Sequence, residues 1–153
     1  QPVTGSFQGS PVHLLQGDVA ELSDETLVEL GLDPSSPFDV LLSDMAPATT
    51  GSRDTDHYGS MRLCHLVLDL AATRLAPGGD LVMKMFEGPG SKDLLDRARE
   101  MFETVRPAKP KASRSVSREM FIVCLKRSES IDVDHRKDDV PGGPPPLGGG
   151  WGN

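Results

Sequence analysis

An aspartate, a lysine and a glutamate stand at or beside the ends of three apolar, strand-like runs. Asp44 closes Phe38-Asp39-Val40-Leu41-Leu42-Ser43, Lys84 lies within Asp80-Leu81-Val82-Met83-Lys84-Met85-Phe86, and Glu119 opens Glu119-Met120-Phe121-Ile122-Val123-Cys124. Ligands of open α/β sheets bind at the carboxyl ends of the strands, so an acid, an amine and an acid delivered there by separate strands read as a catalytic cluster rather than core packing. Lys84 is the hardest of the three to explain as packing. A lysine between Met83 and Met85 is costly to bury unless paired, so it either snorkels to solvent or serves a site. Asp44 could alternatively cap a turn before Pro47. Glu119, taken alone, could be a partner for Arg118.

The elements that must position these residues are legible as alternating apolar patterns. Residues 1–10 are polar and Gly-containing and read as a loop or frayed N-terminus, followed by a short strand at Val12–Gln16 that ends at Gly17-Asp18. Ser23 can cap a helix over Asp24–Leu30, and Asp33-Pro34-Ser35-Ser36-Pro37 is a loop by its turn residues. Phe38–Ser43 is the continuous apolar run of a parallel strand covered on both faces. Ala48–Ser60 reads as a long polar loop, and Met61–Leu75 as an amphipathic helix stopped by Pro77-Gly78-Gly79. Then come a strand at Leu81–Phe86, a helix capped by Ser91 with Leu94, Leu95, Ala98, Met101 and Phe102 on one face, an edge strand over Val105–Lys111, and a last strand at Met120–Leu125. Strands and helices alternating at these lengths predict an α/β domain with a largely parallel sheet. From Ser128 the chain becomes charged and then Pro/Gly-rich, which predicts a disordered tail over 128–153, with Trp151 near its end.

Composition narrows the class. With 153 residues, 37% hydrophobic and 25% charged, the chain is about one domain's worth of ordinary globular sequence. No stretch approaches the roughly 18 uninterrupted apolar residues of a spanning helix, and the N-terminus lacks the pattern of a secretory signal, so no membrane role and a cytoplasmic location are expected. The two cysteines, Cys64 and Cys124, fall in a helix-like and a strand-like segment, where both are expected to be buried apolar residues. His13, His57, His65 and His135 have no paired ligand spacing, which argues against a metal site. The net charge of -7 is unevenly spread: residues 1–52 hold eight acids and no Lys or Arg, which leaves sixteen basic residues against fifteen acids in the remainder. Between Arg106 and Arg118 lie Lys109, Lys111 and Arg114 and no acid, a stretch that suits either an RNA-binding surface or a solvated loop.

Four separated motifs, taken in order, resemble a known family. Ser43-Asp44-Met45-Ala46-Pro47, Leu75-Ala76-Pro77-Gly78-Gly79, Val82-Met83-Lys84-Met85-Phe86-Glu87-Gly88 and Ser115-Val116-Ser117-Arg118-Glu119-Met120-Phe121-Ile122-Val123 are similar to the FtsJ (RrmJ, RlmE) family of S-adenosylmethionine-dependent RNA 2′-O-methyltransferases. The resemblance covers roughly residues 11–127, and the spacings of 40 and 35 residues from Asp44 to Lys84 to Glu119 agree with it. It implies a Rossmann-like methyltransferase sheet with helices on both faces and S-adenosyl-L-methionine as cofactor. The implied substrate is a ribose 2′-hydroxyl, most simply in a uridine of large-subunit (23S) ribosomal RNA, with transfer RNA or cap RNA as alternatives. Of the family's Lys-Asp-Lys-Glu set, Asp44, Lys84 and Glu119 match the last three members. Lys84 would act as base on the 2′-hydroxyl, and the two acids would position it and the ribose. Asp18 matches the acid that contacts the adenine amine, and Asp44 lies near the cofactor as well. Lys109, Lys111, Arg114 and Arg118 would meet RNA, with ribosomal RNA or the large subunit as partner to a monomeric enzyme.

The departures from that pattern are specific. No lysine precedes Lys84, and no glycine-rich loop joins a strand to a helix; Gly5-Ser6-Phe7-Gln8-Gly9 has no strand before it. The chain therefore reads as an N-terminally truncated form, the C-terminal two-thirds of a methyltransferase domain lacking its first strands and cofactor loop. Those strands are expected between Val12–Gln16 and Phe38–Ser43, so the 153 residues alone are expected to bind cofactor weakly or not at all and to be poorly stable. A non-catalytic RNA-binding remnant of the fold is the competing reading.

Overall fold

A computed structural model of the chain describes residues 3–7, 9–48, 51–109 and 118–129. Lys111, Arg114 and the tail from residue 130, with Trp151, lie outside the described residues.

The chain opens with a hairpin rather than a loop. Strands β1 (Val3–Phe7) and β2 (Ser10–Leu14) pair antiparallel, with Phe7 opposite Ser10 and Thr4 opposite His13. Gly9 turns the chain at φ +85°, a conformation that glycine reaches without the Cβ penalty. Gly5 and Gly9 therefore belong to a hairpin, and the strand expected at Val12–Gln16 begins and ends two residues earlier. A 3-10 turn at Val19–Glu21 follows, and then α1 (Asp24–Glu29), which Ser23 caps by accepting from the Thr26 amide at 3.3 Å.

The main sheet has the order β3-β4-β6-β5, formed by β3 (Phe38–Ser43), β4 (Leu75–Phe86), β5 (Phe102–Ala108) and β6 (Glu119–Arg127). It is mixed rather than largely parallel: β3 and β4 are parallel, whereas β6 inserts antiparallel between β4 and β5. Pro107 of β5 is tolerated because β5 is an edge strand. Between Phe38 and Val40 the pairing on β4 jumps from Leu75 to Asp80, so Pro77-Gly78-Gly79 bulges out within the strand, with Gly78 at φ +78°. A side chain on Gly79 would come within 2.9 Å of the Asp39 and Ala76 carbonyl oxygens, so this bulge requires glycine there.

Helix α2 (Arg53–Arg74) begins eight residues before the expected Met61. Asp54 and Asp56 occupy its first turn, where the helix dipole favours acids. Helix α3 (Ser91–Met101) starts after Gly90 at φ +83°; Ser91 does not cap it but accepts from the Gly88 amide at 3.1 Å, tightening the preceding loop. Together α2 and α3 cover the sheet face that carries Leu81, Met83, Met85, Ile122 and Cys124. Strand alternation sends Val82, Lys84 and Phe86 to the opposite face, where Leu42 of β3 is 73% exposed and Val40 55%. The result is the expected α/β sheet flanked by helices, with the core between sheet and helices; among the described residues, however, α2 and α3 cover one face only, not both, and β3 is open on the other, where Val40 and Leu42 meet solvent.

Candidate functional site

Asp44 directly follows β3 and Lys84 lies near the carboxyl end of β4; because these strands are parallel, both reach the same end of the sheet. The last β3–β4 pair is Ser43 with Met83, one residue before Asp44 and Lys84. The Lys84 ammonium donates to Asp44 Oδ1 at 2.9 Å. The lysine side chain is 14% exposed, the aspartate 80%, so the amine is held against the sheet while its partner faces solvent. The stem of the lysine thus lies along the sheet face opposite Met83 and Met85, while its ammonium reaches a charged partner at the solvent edge.

Glu119 begins β6, opposite Phe86 of β4, while Lys84 faces Phe121. Residues two apart on a strand share a face, so Glu119 is the diagonal neighbour of Lys84 across the antiparallel pair, within reach of a long side chain. The Glu87 amide donates to the Arg118 carbonyl at 2.8 Å, which carries the β4–β6 connection one residue beyond the ladder and fixes where Glu119 starts. The three residues singled out by type are thus brought to one end of the sheet.

The remaining predicted site residues are placed less tightly. Asp18 is exposed and caps the 3-10 turn, its Oδ1 accepting from the Ala20 amide at 2.9 Å. Its neighbour Val19 and Asp44's neighbour Met45 both line one cleft of about 480 Å³, closed by Leu22, Val67, Leu70 and Arg74. Lys109 and Arg118 are exposed at the two ends of the undescribed stretch 110–117.

Sequence reasoning missed the supports behind Lys84. His57, Ser60 and Cys64 lie on the buried face of α2 and all touch the carboxyl end of β4 or the turn after it. Cys64 Sγ donates to the Lys84 carbonyl at 3.3 Å, Ser60 Oγ accepts from the Phe86 amide at 3.0 Å, and His57 Nε2 donates to the Pro89 carbonyl. The signal that could have found them is the acid-rich first turn Ser52-Arg53-Asp54-Thr55-Asp56, which marks a helix start well before the apolar stripe. Burial pushes the Cys64 thiol up to about 11 and that of Cys124 up to about 12, so both are the inert buried cysteines expected.

The arrangement is an open α/β sheet with a lysine–carboxylate pair at the carboxyl ends of adjacent parallel strands. The chain belongs to the FtsJ-like methyltransferases, whose family model matches residues 5–127. Among curated relatives, it is 43% identical over 125 residues to Ribosomal RNA large subunit methyltransferase E of Nitratidesulfovibrio vulgaris, covering 80% of this chain and 60% of that protein. It is 46% identical over 110 residues to the protein of the same name from Acidiphilium cryptum, covering 72% and 48%. The chain thus spans about half to three-fifths of the length of these relatives. A solved structure from Plasmodium falciparum, described as a ribosomal RNA methyltransferase, superposes with a TM-score of 0.66 at 24% identity over 80% of this chain and 66% of that one, a likeness of fold.

Proposed function

We propose that this chain is the catalytic-end portion of an S-adenosylmethionine-dependent RNA 2′-O-methyltransferase that acts on a uridine of large-subunit ribosomal RNA. The observation that carries the reading is the Lys84–Asp44 pair at the ends of β3 and β4, with Glu119 diagonal to it on β6. The domain assignment goes with it: residues 11–127 are the C-terminal two-thirds of the methyltransferase domain, and the protein works in the cytoplasm as a monomer.

The chemistry asked of these residues is modest. A sulfonium cofactor supplies an already activated methyl group, so the protein must bring a ribose oxygen into line and remove its proton. Lys84, held on the sheet face, presents its nitrogen toward the strand ends, where a 2′-hydroxyl can donate to it once the amine has given up a proton to solvent. Asp44 keeps the nitrogen in place until then, and Glu119 accepts from a ribose hydroxyl or steadies the lysine from the other side. The donor set also suits part of the cofactor. Asp18 has a second carboxylate oxygen beyond the one used in its cap, able to accept from an exocyclic amine, and the cleft beside Val19 and Met45 offers an apolar wall for a flat base. Lys109, Lys111, Arg114 and Arg118 supply positive charge for RNA phosphates.

The test is methyl transfer from labelled S-adenosylmethionine to large-subunit ribosomal RNA or to subunits by the full-length gene product. Lys84→Ala should lower the rate by about 10²–10⁴-fold, the usual contribution of a positioned acid–base group. Undiminished transfer by that variant removes Lys84 as the base, and methylation at a base rather than a ribose overturns the reaction class.

A further inference from the structure

We infer that residues 57–64 of α2 form a clamp that sets the position of Lys84 relative to Asp44 and Glu119, with His57, Ser60 and Cys64 as positioning residues. The inference rests on the methyltransferase reading for its purpose but not for its geometry. Pairing between β3 and β4 ends at Ser43 and Met83, so the β4 backbone from Lys84 onward has lost that neighbour. Backbone polar groups left this way need other partners. Side chains of α2 take that place: Cys64 meets the Lys84 carbonyl, Ser60 the Phe86 amide and His57 the Pro89 carbonyl.

All three side chains are deeply buried, His57 at 4% exposure, and two of them are polar in an otherwise apolar core face. His57 Nε2 donates to the Pro89 carbonyl, and the buried Nδ1 has no hydrogen-bond partner among the described residues. A buried orphan is a standing cost that packing alone does not explain. The ring also sits directly over Gly88, where an added Cβ would lie 2.7 Å from it, so the Lys84-Met85-Phe86-Glu87-Gly88 stretch is shaped to receive the imidazole.

The same helical segment registers the other half of the pair. Gly59 packs against Pro47, at 2.7 Å from a would-be Cβ, and Pro47 ends the Asp44-Met45-Ala46-Pro47 exit from β3. One rigid turn of helix therefore touches the loop that carries Asp44 and the strand that carries Lys84. Through the Glu87–Arg118 backbone bond it also bears on the start of β6 at Glu119.

The test reads the position of Lys84 directly, by the rate at which an amine-acylating reagent modifies it, scored by mass spectrometry against the exposed Lys92 as internal reference. Ser60→Ala and His57→Ala should raise Lys84 modification roughly fivefold relative to Lys92, the factor that loss of one ordinary hydrogen bond gives. His57→Gln, which keeps a donor for Pro89, should restore most of the protection. Unchanged relative modification in Ser60→Ala, a small change that leaves the core filled, overturns the clamp. A rise equal for all lysines signals general loosening and overturns it too. If His57→Ala does not fold, Ser60→Ala and Cys64→Ala decide. In the methyl-transfer assay of the full-length protein, Ser60→Ala should lower kcat with little change in KM for the cofactor. Altered Lys84 modification without any methyl transfer in the parent keeps the clamp and removes the methyltransferase reading; methyl transfer with unaltered modification does the reverse.

Discussion

The Lys84–Asp44 pair is asymmetric, with an amine held against the sheet and a carboxylate mostly in solvent. Pairs of this kind contribute little to stability, with a median of about 0–1 kcal/mol, because water screens the exposed partner. Asp44→Asn should therefore shift the denaturation midpoint only slightly, while under the proposed function it lowers methyl transfer strongly; a large stability loss in that variant would make the pair structural. The cysteines argue from the opposite direction. With thiols pushed up to about 11 and 12 by burial, neither Cys64 nor Cys124 forms a thiolate at neutral pH in the folded protein. A disulfide reagent should label both slowly in buffer and both quickly in denaturant. Rapid labelling of one in buffer would show that its surroundings open locally.

At the scale of elements, α2 does more than fill the core. Its N-terminal turns hold the ends of β3 and β4, and its middle is tied to α3 by Arg97, which donates to His65 Nδ1 at 3.1 Å and to the His65 carbonyl at 3.2 Å and pairs with Asp69. Burial, and then the neighbouring guanidinium, lower the pKa of His65, with Asp69 and Asp93 acting against them. In the unfolded chain the imidazole titrates near 6.5, so below about that pH the unfolded state binds the extra proton first and stability falls with pH, until the folded-state value is passed. His65→Gln, which can still accept from Arg97, should flatten this fall between about pH 7 and 5. Denaturation midpoints across that range check it, and an unchanged slope would place the acid sensitivity elsewhere. Gly59 is the other lever: Gly59→Val pushes side-chain atoms into Pro47 and should disturb the Asp44 loop more than it destabilises the protein. Chemical-shift changes centred on residues 44–48 would show it.

For the molecule as a whole, the two faces of the sheet differ in kind. Leu68, on the buried face of α2 and fully buried, belongs to the core, and Leu68→Ala should cost about 2–5 kcal/mol. Leu42, on the open face of the edge strand β3, should lose under about 1 kcal/mol on change to Thr, since it has little burial to give up. Comparable losses at both sites would mean that the open face is covered in solution. With Val40 and Leu42 exposed beside an edge of β3 that is unpaired among the described residues, the 153 residues alone should unfold at low denaturant and, under the proposed function, bind S-adenosylmethionine weakly. Cooperative unfolding together with micromolar cofactor binding by this chain would overturn that expectation.

By itself the sequence determined the candidate site residues and the strands that bear them. Asp44, Lys84 and Glu119 were legible because a charged side chain at the end of a continuous apolar run has few explanations, and Phe38–Ser43 and Met120–Leu125 are such runs. Residues 53–60 were not legible as helix, since polar residues and Gly59 carry no apolar stripe there, and the direction of β6 was hidden because an apolar strand reads the same whichever way its neighbours run. Only the tertiary structure decided that Lys84 meets Asp44, that Glu119 lies diagonal to it, and that His57 and Ser60 stand behind both. Those facts depend on register and on which helix face meets which strand end, and such contacts between residues far apart in the chain leave no local pattern to read.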